Sequence, residues 1–325
     1  EYLELCQTSD KDMVRLLSKD FEHHHDYRQQ SPMAITWLIS FRQIANLNPL
    51  AADYLRFMSF LSEEDIFRSI LPPAAEKSRK DAIKMLKVYA FVAKRKDSKK
   101  TYDIHRTVRL AMSNWLEKEG KLEEWAAKVL RRLADAFPVP EHENRDSWMR
   151  YLPHAQRILE HLKDADGEVE LLSKLGPSFD ILGWHHEVEW AYRRLLEIKE
   201  KELGPNHPQA LESANKIGMA LRSQNQFAEA EAMFRRVLKG REKVLGRDHP
   251  NTLISVNDVG LVLRDQHRYE EAEAMFRRAV EGREKALKPG DPHLLGSVSN
   301  LAGILQHQGR YEEAEGVYRR LLEGL

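Results

Sequence analysis

Two pairs of side chains in this 325-residue chain carry recognition chemistry at a fixed spacing: Asn215 with Arg222, and Asn257 with Arg264, 42 residues further on. An asparagine amide both donates and accepts, which suits a peptide backbone. A guanidinium favours a carboxylate. Histidine runs are the other conspicuous groups, at His23-His24-His25 followed by Asp26, at His142, and at His185-His186. Three consecutive residues cannot all face one site on a helix, and no Cys or His pair follows at zinc-like spacing, so no metal site is expected. The sequence has no Gly-x-Ser-x-Gly elbow, no cysteine-centred nucleophile signature and no Gly-x-x-x-x-Gly-Lys-Ser/Thr loop. This segment is therefore expected to have no catalytic residues, to hold no cofactor and not to hydrolyse ATP by itself.

The elements that position Asn215 and Arg222 repeat. Phe227, Tyr269 and Tyr311 keep the 42-residue period, as do Ala230, Ala272 and Ala314, and Pro208, Pro250 and Pro292. So do three aromatic-Arg-Arg triplets, Phe234-Arg235-Arg236, Phe276-Arg277-Arg278 and Tyr318-Arg319-Arg320. A fainter copy lies upstream at Gly176, Tyr192-Arg193-Arg194 and Leu203-Gly204, with Val188 for the alanine and His185 for the aromatic, as an edge unit would have. Within one unit, Ala214, Ile217, Gly218 and Leu221 recur at helical spacing, Gln224-Asn225-Gln226 breaks the pattern, and Ala230, Phe234 and Val237 resume it. Each unit is thus two amphipathic helices, with Gly218 and Gly260 letting the second helix approach closely. The paired arginines sit on the second helix, where salt bridges to Glu229, Glu231 and their equivalents are expected.

This pattern resembles the tetratricopeptide repeat, and the 42-residue unit with Gly246-Arg247-Asp248-His249-Pro250 between copies resembles the long repeats of kinesin light chains. The resemblance implies a right-handed α-α superhelix whose first helices line a concave groove for a protein or peptide. The groove residues it implies are Asn215, Met219 and Arg222, then Asn257, Leu261 and Arg264, then Ser299, Gly303 and Gln306. Read without the resemblance, the polar ones among them are ordinary solvated residues.

Fifty-one basic and fifty-one acidic side chains cancel, so no global field draws the chain to nucleic acid or an anionic membrane. One cysteine, Cys6, permits no internal disulfide, and the longest apolar runs, such as Ala34 to Phe41, are too short to span a bilayer. A soluble cytoplasmic protein with a protein partner and no membrane contact is expected. The chain starts at Glu1 and stops at Leu325 as a repeat is closing, as expected of a piece of a longer protein.

Upstream of the repeats the plan differs. Trp37 to Ile44, Ala51 to Leu61 and Ala82 to Leu86 read as helices, and Val88 to Val92 and Thr101 to Ile104 as two strands of a hairpin. The hairpin turn would be Lys94-Arg95-Lys96-Asp97-Ser98-Lys99-Lys100, and Val108 to Leu116 begins another helix. That order is a winged-helix domain with a small β-hairpin. A basic wing raises DNA binding. Nucleic acid is nonetheless not the expected partner, because the helix around Asp81 to Leu86 has no paired arginine and asparagine to read base edges.

The runs Ile35 to Ile44, Pro49 to Leu61 and Tyr102-Asp103-Ile104-His105-Arg106-Thr107-Val108 resemble the winged helix of the NB-ARC module in STAND signalling ATPases, the class that includes NOD-like receptors. Tyr151-Leu152-Pro153-His154-Ala155 resembles the helical junction before the repeats of fungal and bacterial members. The resemblance implies a nucleotide domain upstream that binds ADP or ATP, an ATPase activity in the parent protein, and homo-oligomers on activation. It places His105 against the β-phosphate of ADP as a nucleotide-sensing residue, although Ile104 and Arg106 stand where the family motif has methionine and aspartate. The plainer reading of His105 is a histidine that satisfies a buried backbone group.

The expected organisation is mainly α: 1–31 the tail of a preceding helical domain, 32–120 the winged helix, 121–166 a helical junction, and 167–325 four repeats at 167–208, 209–250, 251–292 and 293–325. Two alternatives stand beside the STAND reading. One is a free-standing adaptor of the kinesin-light-chain kind that uses no nucleotide. The other is a DNA-binding regulator.

Overall fold

The computed structural model describes residues 32–95, 101–162, 165–286 and 291–323. The expectations for residues 1–31, which include His23 to His25, and for wing residues Lys96 to Lys100 lie outside the described residues. The chain is mainly helical and divides into two compact units after Lys174.

In the first unit, α1 (Pro32–Leu47), α2 (Pro49–Met58), β1 (Ile66–Phe67), α3 (Glu76–Val88), β2 (Val92–Lys94) and β3 (Thr101–Ile104) are followed by α4 (Arg106–Lys118), α5 (Leu122–Ala136), α6 (Arg145–Met149) and α7 (Leu152–His161). The helix α8 (Glu168–Leu182) contains the division between the units. Helix α2 starts where Asn48 accepts a hydrogen bond from the Ala51 amide at 3.1 Å with Pro49 at its first turn. It buries Tyr54, Leu55 and Met58. Its Arg56 lies 5.2 Å from the Phe41 ring and 5.5 Å from the rings of Trp115 and Trp125, joining α1, α4 and α5 through cation–π contacts.

The sheet is antiparallel with strand order β1-β3-β2, Val92 opposite Ile104 and Ile66 opposite Tyr102. One sequence expectation is corrected here, and one strand is added. The apolar run from Val88 to Val92 is not one strand: α3 continues through Val88, and Ala90 turns the chain with φ 58°. The Phe91 amide then returns to the Leu86 carbonyl at 3.0 Å, so the strand starts at Val92. Strand β1 was not expected, because two residues are too short to show alternation.

His154 on α7 fastens the segment between α2 and β1. Its Nδ1 accepts from the Ser62 amide at 3.2 Å and its Nε2 donates to the Asp65 carbonyl at 3.3 Å, a pairing that requires the neutral ring. Asp65 has φ 56°, receives both Nε and Nη2 of Arg150 at 3.1 and 3.2 Å, and donates its amide to Asp103 at 2.9 Å. Burial lowers the His154 pKa to about 4 against the pull of Asp65.

The second unit is a row of antiparallel helix pairs. The end of α8 pairs with α9 (His185–Leu203), α10 (Pro208–Ser223) with α11 (Phe227–Leu245), α12 (Pro250–Asp265) with α13 (Tyr269–Ala286), and α14 (Pro292–His307) with α15 (Tyr311–Glu323). His207, His249 and Asp291 cap α10, α12 and α14, accepting from the amide two residues on at 3.3, 3.1 and 2.8 Å. The turns within pairs each place one residue in the left-handed region, Gly183, Asn225, His267 and Gly309, again one period apart.

Inside the first three pairs an aromatic ring rests on bare backbone. A Cβ on Gly218 would lie 2.6 Å from Phe234, one on Gly260 2.6 Å from Phe276, and one on Gly176 2.7 Å from Tyr192. Phe234 and Phe276 are wholly buried. In the last pair Ala302 replaces the glycine, and its aromatic, Tyr318, stays 39% exposed.

Two outcomes follow from these contacts. Gly260→Ala should cost about 1–3 kcal/mol by overpacking against Phe276, whereas Gly303→Ala, where a Cβ meets nothing within 4 Å, should be neutral or stabilising; urea midpoints of the two variants compare them directly. Because the His154 pKa is lowered, the unfolded chain takes up its proton first. Stability should therefore fall by about 3 kcal/mol between pH 6.5 and pH 4. His154→Gln should flatten that part of the pH–stability curve.

Candidate functional site

The exposed edges of α10, α12 and α14 carry the expected groove residues, and the structure shows most of their polar groups already engaged with one another. The Asn215 Nδ2 donates to Asp258 at 2.8 Å, and the Asn300 Nδ2 donates to the Asn257 Oδ1 at 3.0 Å. Arg222 is ion-paired with Asp265, and Arg264 contacts the same carboxylate at 3.2 Å. This corrects one expectation: the two arginines do not stand ready for a ligand carboxylate but converge on the chain's own Asp265. Met219 is 47% exposed, Leu261 and Gly303 half-buried, and Ser299 and Gln306 exposed. These form the unengaged part of the surface.

Behind this face lies a cluster that the sequence reading missed. Asp258 has its pKa raised by burial, opposed by the Asn215 hydrogen bond and by Arg241, Arg222 and Arg283. Arg241 on α11 donates to the Asn251 carbonyl at 3.0 Å and to Ser255 at 2.8 Å. One period later, Arg283 on α13 donates to the His293 carbonyl at 2.6 Å and to Ser297. Burial lowers the pKa of both guanidiniums. Each therefore ties the second helix of one pair to the first helix of the next. The period of Arg241 and Arg283, and of Ser255 and Ser297, was a usable signal. Asp258 and Asp265 keep no period and gave none.

The paired arginines form the opposite ladder. Arg193, Arg235, Arg277 and Arg319 bridge Glu189, Glu231, Glu273 and Glu315 on their own helices at 2.6–2.8 Å. The acid is thus Glu231 and its equivalents; Glu229 is not the partner of Arg235. The second arginines reach back one repeat, Arg236 to Glu200 and Arg278 to Glu242 at 2.6 Å. Glu231 also accepts from Gln266 at 3.0 Å and Arg268 at 2.7 Å of the following repeat. Burial alone would raise its pKa, but hydrogen bonds from Gln266 and Arg235 outweigh it and the net shift is downward.

In the first unit, His105 is the N-cap of α4 and exposed. Its Nδ1 accepts from the Thr107 amide at 3.3 Å and lies 2.5 Å from the Thr107 hydroxyl. The same capping occurs at His207 and His249, so a structural role accounts for the residue. With Nδ1 accepting, the neutral ring carries its proton on Nε2, a donor these contacts do not use. The following residues Arg106 and Arg109 line an open depression of about 1010 Å³ with Glu63, Asp65, Arg95 and Arg157. Arg109 is buried and holds Glu63 at 3.1 Å. Among the described residues no group of three or more His, Cys, Asp or Glu could hold a metal, and no helix is long and apolar enough to cross a membrane.

Comparison with known proteins adds to this geometry. The tetratricopeptide-repeat family matches residues 189–243 and 217–285, and again 297–325. A nucleotide-binding leucine-rich repeat (NLR)-like protein of Hyaloscypha variabilis is 40% identical over 222 residues, covering 66% of this chain and 22% of the relative. The chain thus spans about 22% of that relative's length. Among solved structures, kinesin light chain TPR-like repeats of Podosopora anserina are 18% identical with TM-score 0.46, over 65% of this chain and 90% of that one. A STAND protein with a tetratricopeptide repeat sensor from Pyrococcus horikoshii is 13% identical with TM-score 0.45, over 96% of this chain and 59% of that one. The second half of the chain is built of tetratricopeptide repeats, in a polypeptide similar to a fungal NLR-like protein.

Proposed function

We propose that the chain is the regulatory and partner-sensing portion of a STAND-type signalling ATPase. The repeats bind a protein or peptide along α10, α12 and α14, and the first unit reports that state to a nucleotide domain elsewhere in the parent protein. The observation that carries this reading is the 40% identity to a nucleotide-binding NLR-like protein in a chain that ends in tetratricopeptide repeats. In this reading residues 32–120 are a winged helix. Strand order β1-β3-β2, with the β2–β3 hairpin following α3, supports that assignment.

His105 then places Nε2–H against the β-phosphate of ADP and favours the resting state, and release of that contact precedes homo-oligomer formation. ADP or ATP belongs to the parent protein and not to these residues. The switch is one equilibrium biased at two separate sites. A second reading, a nucleotide-free adaptor, is favoured by one observation: His105 is accounted for as a helix cap.

One experiment separates them, and a second tests the groove. Asparagine also caps helices well, so His105→Asn in the intact protein retains the cap but lacks the imidazole. The switch reading expects faster ADP exchange or spontaneous oligomerisation from His105→Asn as from His105→Ala; the adaptor reading expects wild-type behaviour from His105→Asn. For the repeats, Asn257→Asp with Arg264→Glu should abolish partner capture while the far-ultraviolet dichroism stays that of the folded array. Capture that survives in a folded variant would place the partner on another face.

A further inference from the structure

Five cations converge on a shallow depression of about 220 Å³ in the first unit. Arg79, Lys80, Lys84 and Lys87 come from α3 and Arg68 from the segment after β1, while Tyr102 of β3 forms an aromatic wall. Buried Ile83 is the floor, and the lining contains no carboxylate. Lys80, Lys84 and Lys87 are all exposed and spaced to share one face of the helix. Like charges at such spacing destabilise a helix, so a bound anion would relieve repulsion that the pairs of Glu76 with Arg68 and Lys80 offset in part.

Several of these groups are held in place. Arg79 donates to the Ala74 carbonyl at 2.9 Å, and the Lys87 ammonium lies 5.2 Å from the centroid of the Tyr102 ring. At the rim, Glu76 pairs with Arg68 and approaches Lys80 at 3.4 Å. It is the acid that an incoming anion would compete with.

We infer that this depression binds a compact ligand carrying two or more phosphate groups. Its concavity, and the approach of cations from separate elements, fit a small polyanion. Reading adenine in a duplex would call for an asparagine or glutamine, and α3 contains neither. Phosphate esters of this chemistry occur both as soluble metabolites and as lipid headgroups. The lining of this site shares no residue with the depression that Arg106 and Arg109 line or with the repeat groove.

The test uses the whole chain with inorganic tripolyphosphate in a calorimetric titration. Saturable binding at one site per chain is expected, weakened at least about tenfold by Lys84→Glu with Lys87→Glu and weakened by salt. Glu76→Gln should strengthen it, an opposite sign that a general charge effect on folding would not give. No saturable binding, or equal affinity in the double variant with an unchanged thermal midpoint, would overturn the site. Phosphatidylcholine vesicles carrying phosphatidylinositol bisphosphate assign the source: sedimentation of the chain that tripolyphosphate reverses identifies a headgroup, and binding of the free anion alone identifies a soluble ligand. Capture of duplex DNA without any binding of tripolyphosphate would replace the compact ligand with a nucleic acid and refute the inference.

Discussion

The repeat array depends on one steric condition, an aromatic ring seated on a stretch of helix that has no side chain. Phe234 over Gly218 and Phe276 over Gly260 fix how far the two helices of a pair slide and how closely they lie. Ala230 and Ala272, both wholly buried, keep the opposite side of the seam equally thin. Once that separation is set, the turns must close in the left-handed region at Asn225 and His267, and the second helices come near enough for Glu231 to reach Gln266 and Arg268 of the next repeat. The polar ladder is a consequence of the apolar seam.

The face formed by the first helices has a different character. Its amides and guanidiniums satisfy one another through Asp258 and Asp265, with Arg241 and Arg283 supporting the network from behind. Breaking an internal hydrogen bond to make one with a ligand gains little on balance. Affinity on such a face would come from replacing the whole network in good geometry and from covering Met219 and Leu261. That favours selectivity over general stickiness, because a poorly matched ligand would leave Asp258 buried beside an unsatisfied partner.

What the sequence disclosed follows from periodicity. Most residues fixed by contact with their own repeat recur at 42 positions, so the helix pairs, the glycine–aromatic seam and the arginine ladder were readable. Residues whose partners differ from repeat to repeat were not: Asp258 replaces Lys216, and Asp265 replaces Ser223. In the first unit, the run from Val88 to Val92 has strand composition, yet its first residue completes a helix because Ala90 reverses the chain there. The segment from Tyr151 to Ala155 stood out by family likeness alone. The reason for His154 lies in backbone groups of Ser62 and Asp65, which no local pattern could foretell.

The hydrogen bonds and ion pairs that join repeats among the described residues link neighbours: Arg278 to Glu242, Gln266 to Glu231, Arg283 to Ser297, Arg310 to Glu273. Such an array is one-dimensional in its energetics. Duplication or loss of one complete unit in the gene would return each of these residues to a neighbour of the same kind, so the length of the surface presented to a partner can change in a single genetic event. A shift of one residue within a unit has no such tolerance, since it would bring a side chain against the ring of Phe234 or Phe276. The lineage is free to vary reach and is held to a fixed step.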